Sequence, residues 1–454
     1  MVSMKHVLAL MALALLIAVA IVGDSASNSS NVVLASEILA KIKMGMPVQY
    51  DHVTIEGDLN LTDLAMPVCR VDRTLPDIVS GLSQNATLIE SSIRVNDSII
   101  EGDIAFSNLI FNGTLDFAKT QLIKNFVIEG SEFRQYAKFD NARFNGTALF
   151  RNSWFKKDMS FSGAEFLGNV DFNDSRFEGD LAFVKAVFAE GISFRSSKFK
   201  GEVRFDYAQF KKHASFSSTE FGYSWFYEYT DFNHAKFAGD AIFNKIYFAN
   251  DADFRDAEFD KYVSFESSQF IKDALFQNAT FRDGISLTRT KYNHIYINFA
   301  DIKAGLEYDE SAYQLLMKNY EDLGFFADAD DCYMQFRKKQ LKLRDPIQSP
   351  LLFLLDFGTL VFYGYGIRPI YPLSWSILII ALFGIYWRKN GIEEPFRYSF
   401  TLFLSGTRLF IEPPPRGSAA KSKSFLKDMF TIERLLGGIF SLLLLLAISG
   451  SILR

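Results

Sequence analysis

The sequence predicts a mainly β chain, a stacked parallel β-solenoid with helical caps, followed by an α-helical transmembrane region. Three observations carry that expectation. Phe139, Phe144, Phe150, Phe155, Phe161, Phe166, Phe172, Phe177, Phe183, Phe188, Phe194, Phe199, Phe205, Phe210, Phe216 and Phe221 recur in alternating steps of five and six. The residue two before each Phe alternates in size. Met159, Val170, Leu181, Ile192 and Val203 precede a Phe that ends a six-step, and Ala164, Ser175, Ala186, Ser197 and Ala208 one that ends a five-step. Finally, two late stretches, 371–387 and 435–453, turn strongly apolar.

The period is therefore eleven residues in two unequal halves. An eleven-residue repeat can belong to a right-handed helical coil. Steps of five and six on a 3.6-residue helix, however, point apolar side chains in directions roughly 140° apart, leaving no single stripe. A plain strand fails as well, because a five-step breaks period-2 alternation. Short flat segments joined by corners satisfy the pattern, with residues i and i−2 facing inward and coils stacking at about 4.8 Å.

Segments such as Ala257-Glu258-Phe259 and Ala279-Thr280-Phe281 place a small residue two before a central Phe. In this the chain resembles the pentapeptide-repeat family. The resemblance implies a right-handed quadrilateral parallel β-helix with four segments per coil, here over residues 93–300. The extra residue in alternate segments departs from the family pattern and implies coils of two eleven-residue units with looser corners. Some nine such coils would hold a surface roughly 40 Å from a bilayer.

The period falters between Phe221 and Phe232, where GYSWFYEYTD takes two five-steps in succession through Phe226. One reading is an exposed aromatic contact patch of Tyr223, Trp225, Tyr227 and Tyr229. The other is a repeat gained or lost with local repacking.

The chain has 454 residues, 47 of them Phe, a formal net charge of −5 and two cysteines. Residues 1–27 read as a secretory signal: Lys5, an apolar run, then Ser25-Ala26-Ser27. N-x-S/T triplets at Asn28, Asn60, Asn85, Asn96, Asn112, Asn145, Asn173 and Asn278 are an extracytoplasmic hint, although Asn, Ser and Thr also suit β-helix corners. Residues 28–92 supply a cap helix with Ser36 as N-cap, and a first coil through Val53, Ile55, Leu59 and Leu61, since EGDLNL echoes EGDIAF. A side loop follows over 66–87. Residues 301–346 read as a helical hairpin closing the other end, with stripes Ala312, Leu316, Tyr320, Leu323 and Ala329, Cys332, Tyr333, Phe336 around Gly324. Cys69 and Cys332 flank the repeats, with no zinc or redox spacing.

The membrane region spans 347–454. It comprises an interfacial helix (351–366), a span (371–387), a short amphipathic helix (395–411), a basic loop and a second span (435–453). Span, short helix, loop, span resembles the pore domain of two-transmembrane potassium channels, and ERLLGGIFSLLLLL resembles their second helix. The filter motif is replaced by Ser405, Gly406, Thr407 and Arg408, a degenerate pore loop in which Arg408 would oppose cations. Eight Lys or Arg between Arg388 and Lys427 put that loop in the cytoplasm and the solenoid outside. A channel-like pore loop would face outward instead, and would require 351–366 to span as well.

No catalytic, metal-binding or cofactor-binding constellation stands out. The five His (His6, His52, His213, His234, His294) lack ligand or triad spacing, and Asp251, Asp253, Asp256, Glu258 and Asp260 lack a calcium-loop order. Polysaccharide lyases on β-helices need an acidic and basic groove that sequence alone does not locate. Charge mimicry of nucleic acid, known in soluble members of the resembled family, calls for a far more acidic rod. The expectation is a non-enzymatic scaffold with no cofactor and no nucleic-acid partner. Its expected partners are the lipid bilayer and an extracytoplasmic protein or envelope ligand, with any self-association through the membrane region. The alternative is a channel-like protein with a β-helix sensor.

Overall fold

The structure is a computed structural model that describes residues 31–62, 64, 66, 68–70, 75, 78, 84–221, 229–407 and 424–452. The signal-like segment lies outside them. The chain divides into two compact units, residues 1–307 and 308–454.

The first unit is a parallel β-solenoid of about eleven turns. Its strands pair with strands 22 residues away, as in Phe144 with Phe166, Phe150 with Phe172, Phe155 with Phe177 and Met159 with Leu181. Each coil thus carries four short strands, and the strands stack into four ladders. Four columns of rings fill the interior. Phe161 stacks on Phe183 at 4.9 Å, Phe166 on Phe188 at 5.0 Å, Phe172 on Phe194 at 4.8 Å and Phe177 on Phe199 at 4.9 Å, all within 12° of parallel. Across the centre the columns of Phe161 and Phe172 meet edge to face at 77°. Offset and edge-on contacts are the favoured ring geometries, each adding about 0.5–1.5 kcal/mol to burial. The ladder Phe listed above are buried from Phe139 to Phe216; the side chain of Phe221 is outside the described residues, although its strand continues the ladder.

The five- and six-steps are two kinds of corner. Each five-step closes a tight turn, such as Ala164 N–H to Phe161 O at 3.0 Å, through a residue with positive φ: Asp174 (59°), Lys185 (61°), Ser196 (58°), Tyr207 (59°). The six-step corner is an open bend in which backbones nearly touch. A Cβ on Gly168 would lie 2.3 Å from the carbonyl oxygen of Gly146. The small i−2 site also has two versions. On one ladder it is Ala (Ala164, Ala186, Ala208), on another a hydroxyl. Ser197 donates to Phe172 O at 2.7 Å and Thr219 to Phe194 O at 2.7 Å, while Ser175 Oγ accepts from Ser153 N–H at 3.1 Å. These hydroxyls satisfy backbone groups the corners would otherwise bury unpaired. The two eleven-residue halves are therefore inequivalent, and the structural period is 22.

Several sequence expectations are corrected here. The solenoid begins before residue 93, which raises the coil count from nine to about eleven, or about 50 Å of rod. Asn31–Leu34 already pairs with Val53–Glu56, and Leu59 pairs with Ile104, as the EGDLNL echo implies. The entry helix is Ala35–Lys43, so Ser36 lies in its first turn and Leu34 is the N-cap, with no side-chain cap bond. Ile38 and Ile42 are buried. The 66–87 side loop contains a strand, Val68–Arg70, antiparallel to Asn85–Ile89. Phe299–Ile302 forms a short helix after the last coil, and Phe299, Ile302 and Leu306 are buried there. The hairpin, Glu310–Asp322 and Phe326–Leu343 about Gly324 (φ 75°), falls in the second unit. The stacking also explains the broken period: Val203 pairs with Thr230 and Phe216 with Phe243, so one coil is 27 residues long. Five residues are inserted, and the rings resume with Phe232 on Phe205 at 4.9 Å.

Candidate functional site

Three places on the molecule bring functional groups together. The first is the inserted coil. Tyr223, Trp225 and Tyr227 lie outside the described residues. Tyr229 does not join an exposed patch: it is half-buried and its hydroxyl donates to Asp253. Arg204, Asp231 and Asp253 share one outward ladder. Asp253 is fully buried, bound by Arg255 Nε at 2.9 Å, and Arg204 clamps Asp206 through two bonds of 3.1 Å. Burial would raise the Asp253 carboxyl, but its bonds to Arg255 and Tyr229 outweigh that and hold it low. Asp231 behaves oppositely. Burial first, then the charges of Asp206 and Asp253, push it from 3.8 up to about 6, against an Asn233 N–H and Arg204. The folded chain therefore holds a proton that the unfolded chain has released between those values. Stability from this group is complete below pH 3.8 and is lost as pH rises through about 6. The melting temperature of the solenoid is expected to fall between pH 4 and 6 by less in Asp231→Asn than in the unaltered protein, as read by thermal denaturation.

The second place is a cavity of about 740 Å³ along one corner of the solenoid, lined by Arg195, His213, Ser217, Lys245, Glu266 and Arg289 with further serines and Asn244. Ser193 and Arg195 N–H both bond Asn173 Oδ1, at 2.6 and 2.7 Å, so that triplet asparagine serves the corner. His213 and His234 do not share a site: His234 stacks on Tyr207 at 4.6 Å. Among the described residues no group of three His, Cys, Asp or Glu is arranged to hold a metal ion. Glu258 and Asp260, from the acidic run, are paired with Lys236 and Arg282.

The third place is the helical unit. Ile370–Lys389 and Asp428–Gly450 are long and apolar enough to cross a membrane. The first matches the 371–387 expectation; the second belongs to a helix, Ser424–Ile452, that starts well before residue 435. The 351–366 segment is a helix Pro350–Gly358 followed by a wide turn and a tight one, with Gly364 and Gly366 at positive φ. It exposes Leu351, Leu352, Leu354 and Leu355 yet buries Asp356. Asp356 is neutralised by the hairpin: Arg337 reaches it at 2.7 Å and Arg344 at 3.8 Å, with the Tyr365 ring 4.9 Å from the Arg337 guanidinium. The basic run at the end of the hairpin, expected to face a membrane surface, thus spends two of its cations on an internal carboxylate. Sequence separation hid this pairing.

The short helix is Pro395–Leu404, ending in a tight turn Ser405–Thr407; Arg408 lies outside the described residues. Glycines set its position. A Cβ on Gly406 would fall 2.1 Å from Arg434 O, and one on Gly437 2.0 Å from Phe403 O. The turn is therefore packed backbone to backbone on the last helix, as small residues allow between membrane helices. Glu433, fully buried, accepts from Trp387 Nε1 at 2.6 Å and from Ser399 Oγ, tying both apolar helices to the short one.

A stacked parallel β-solenoid joined to a unit with two membrane-length helices defines the class of protein. The family model described as pentapeptide repeats matches residues 128–176 and 172–220, so this part of the solenoid consists of pentapeptide repeats. No curated protein and no solved structure matches the chain.

Proposed function

We propose that this is a membrane-anchored pentapeptide-repeat protein whose solenoid serves as a rigid, non-enzymatic extracytoplasmic scaffold or binding surface. The observation that carries the reading is the pairing, in one chain, of a Phe-filled rod with a helical unit bearing two helices of membrane-spanning length. A core closed by rings leaves chemistry only the outer face, where the acids and bases largely neutralise one another, as in Arg143 with Glu165 and Arg151 with Asp171. The basic loop between the apolar helices favours an outward solenoid. The test is Lys261→Cys, an exposed position, with Cys69→Ser and Cys332→Ser, treated with a membrane-impermeant maleimide on intact cells. Labelling before permeabilisation is expected; labelling only afterwards would overturn the extracytoplasmic placement.

One observation favours a second reading, a channel-like membrane protein with a β-helix sensor: the short helix and its turn are seated on Gly437 and Gly438 between the two apolar helices. It requires ionic current in planar bilayers that Arg408→Gly alters. The scaffold reading expects none.

A further inference from the structure

We propose that the groove along the corner after Phe194 binds a linear acidic polysaccharide, laid along the solenoid axis with its carboxylates on Arg195, Lys245 and Arg289. This rests on the solenoid being a binding surface, but not on the side of the membrane it faces.

The corner repeats on five successive coils. Ser196 N–H donates to Ser217 O, Ser218 to Asn244 O, Lys245 to Glu266 O and Ser267 to Thr288 O, at 2.8–3.1 Å. Arg195 stands on the first coil, Lys245 on the third and Arg289 on the fifth. At about 4.8 Å per coil a cation recurs about every 10 Å over about 20 Å. The coils between them carry serines, which offer hydroxyls and no competing charge. Neither Arg195 nor Lys245 has an ion-pair partner among the described residues, whereas Arg289 is held by Glu266, the one acid in the lining. Three cations against one acid leave an excess of two positive charges.

The ligand must therefore be anionic, extended and hydroxyl-rich, with its charges widely and evenly spaced. A nucleic-acid strand is too dense, at one phosphate per about 3.4 Å along a duplex strand. A membrane surface would demand an apolar anchor, and Ile242 is the lone aliphatic side chain in the lining. In an extended polysaccharide each ring advances by about one coil, so one carboxylate for every two rings meets the cation spacing. Arg195 can then grip a carboxylate with two parallel bonds, and Ser215 and Ser217 can serve ring hydroxyls.

The test is calorimetric titration of hyaluronan octasaccharide, which carries one carboxylate per two rings, into the full-length protein in detergent. Arg195→Gln and Lys245→Gln are each expected to weaken binding by about fivefold, and the double variant by about 25-fold if the two act independently. All should keep the unaltered melting temperature; should Arg195→Gln misfold, Arg195→Lys retains the charge and is expected to bind more weakly by losing the paired bonds. Absence of binding by the unaltered protein overturns the proposal, as does a double variant that binds equally well. Equal or tighter binding of polygalacturonate, a DNA oligonucleotide or phosphatidylglycerol vesicles also overturns it, because charge alone would then suffice. Failure here alongside surface labelling of Lys261→Cys would leave the scaffold reading standing.

Discussion

Phe183→Ala is expected to destabilise the solenoid by about 3–5 kcal/mol, the usual cost of removing a large buried ring and leaving its cavity. Phe183 is fully buried, stacked on Phe161 at 4.9 Å below and on Phe205 at 5.0 Å above, and meets Phe172 and Phe194 edge-on. Its neighbours are fixed by parallel ladders on both sides and cannot collapse far into the void. Because each coil leans on the next, the loss spreads to two coil interfaces. Phe281 is the control: it ends its column, is only half-buried, and stacks on Phe259 alone at 5.2 Å. Phe281→Ala is expected to cost about half as much. Denaturant unfolding of both variants, followed by circular dichroism, checks this; equal losses would mean the columns do not act as a stack.

Asp356→Asn is expected to destabilise the helical unit by about 3 kcal/mol, the lower part of the range for breaking a buried ion pair. The carboxylate is 3% exposed, while Arg337 and Arg344 remain about 30% exposed and can recover some water. The substitution leaves both guanidiniums against a neutral amide, next to the Tyr365 ring. Calorimetry in detergent should show a lowered helical transition with the solenoid transition unmoved. Asp356→Leu combined with Arg337→Leu should recover part of the loss, since a well-packed apolar pair can replace a buried ionic one. An unchanged transition in Asp356→Asn would show that the pair is not structural.

The solenoid was legible because its rule is local. Phe at i and a sized residue at i−2 state which side chains face inward, and stacking follows. What stayed hidden was non-local or backbone-determined. The pairing of Asn31–Leu34 with Val53–Glu56 shows no Phe, so the first coils were undercounted. The difference between Ala164 and Ser175 was visible as letters, but not that the hydroxyl bonds a backbone carbonyl in the coil before its own, as Ser197 does with Phe172 O. In the helical unit, length and apolarity located both membrane-type helices. The Asp356–Arg337 pair and the Trp387–Glu433–Ser399 contact join residues 19 to 46 apart that no periodicity links. The groove is also a product of coil stacking: Arg195, Lys245 and Arg289 align only once the inserted coil of 27 residues is counted.

The account depends on a rigid column of coils in fixed register. Gln121 and Thr280 stand seven rungs apart on one outward ladder, through Arg143, Glu165, Val187, Gln209, Lys236 and Glu258, and both are exposed. Spin labels at Gln121→Cys and Thr280→Cys, with Cys69 and Cys332 replaced by Ser, should give by double electron–electron resonance a single narrow distance near 34 Å, about seven rungs of 4.8 Å. A broad distribution, or a mean displaced by about 10 Å (two rungs), would contradict it.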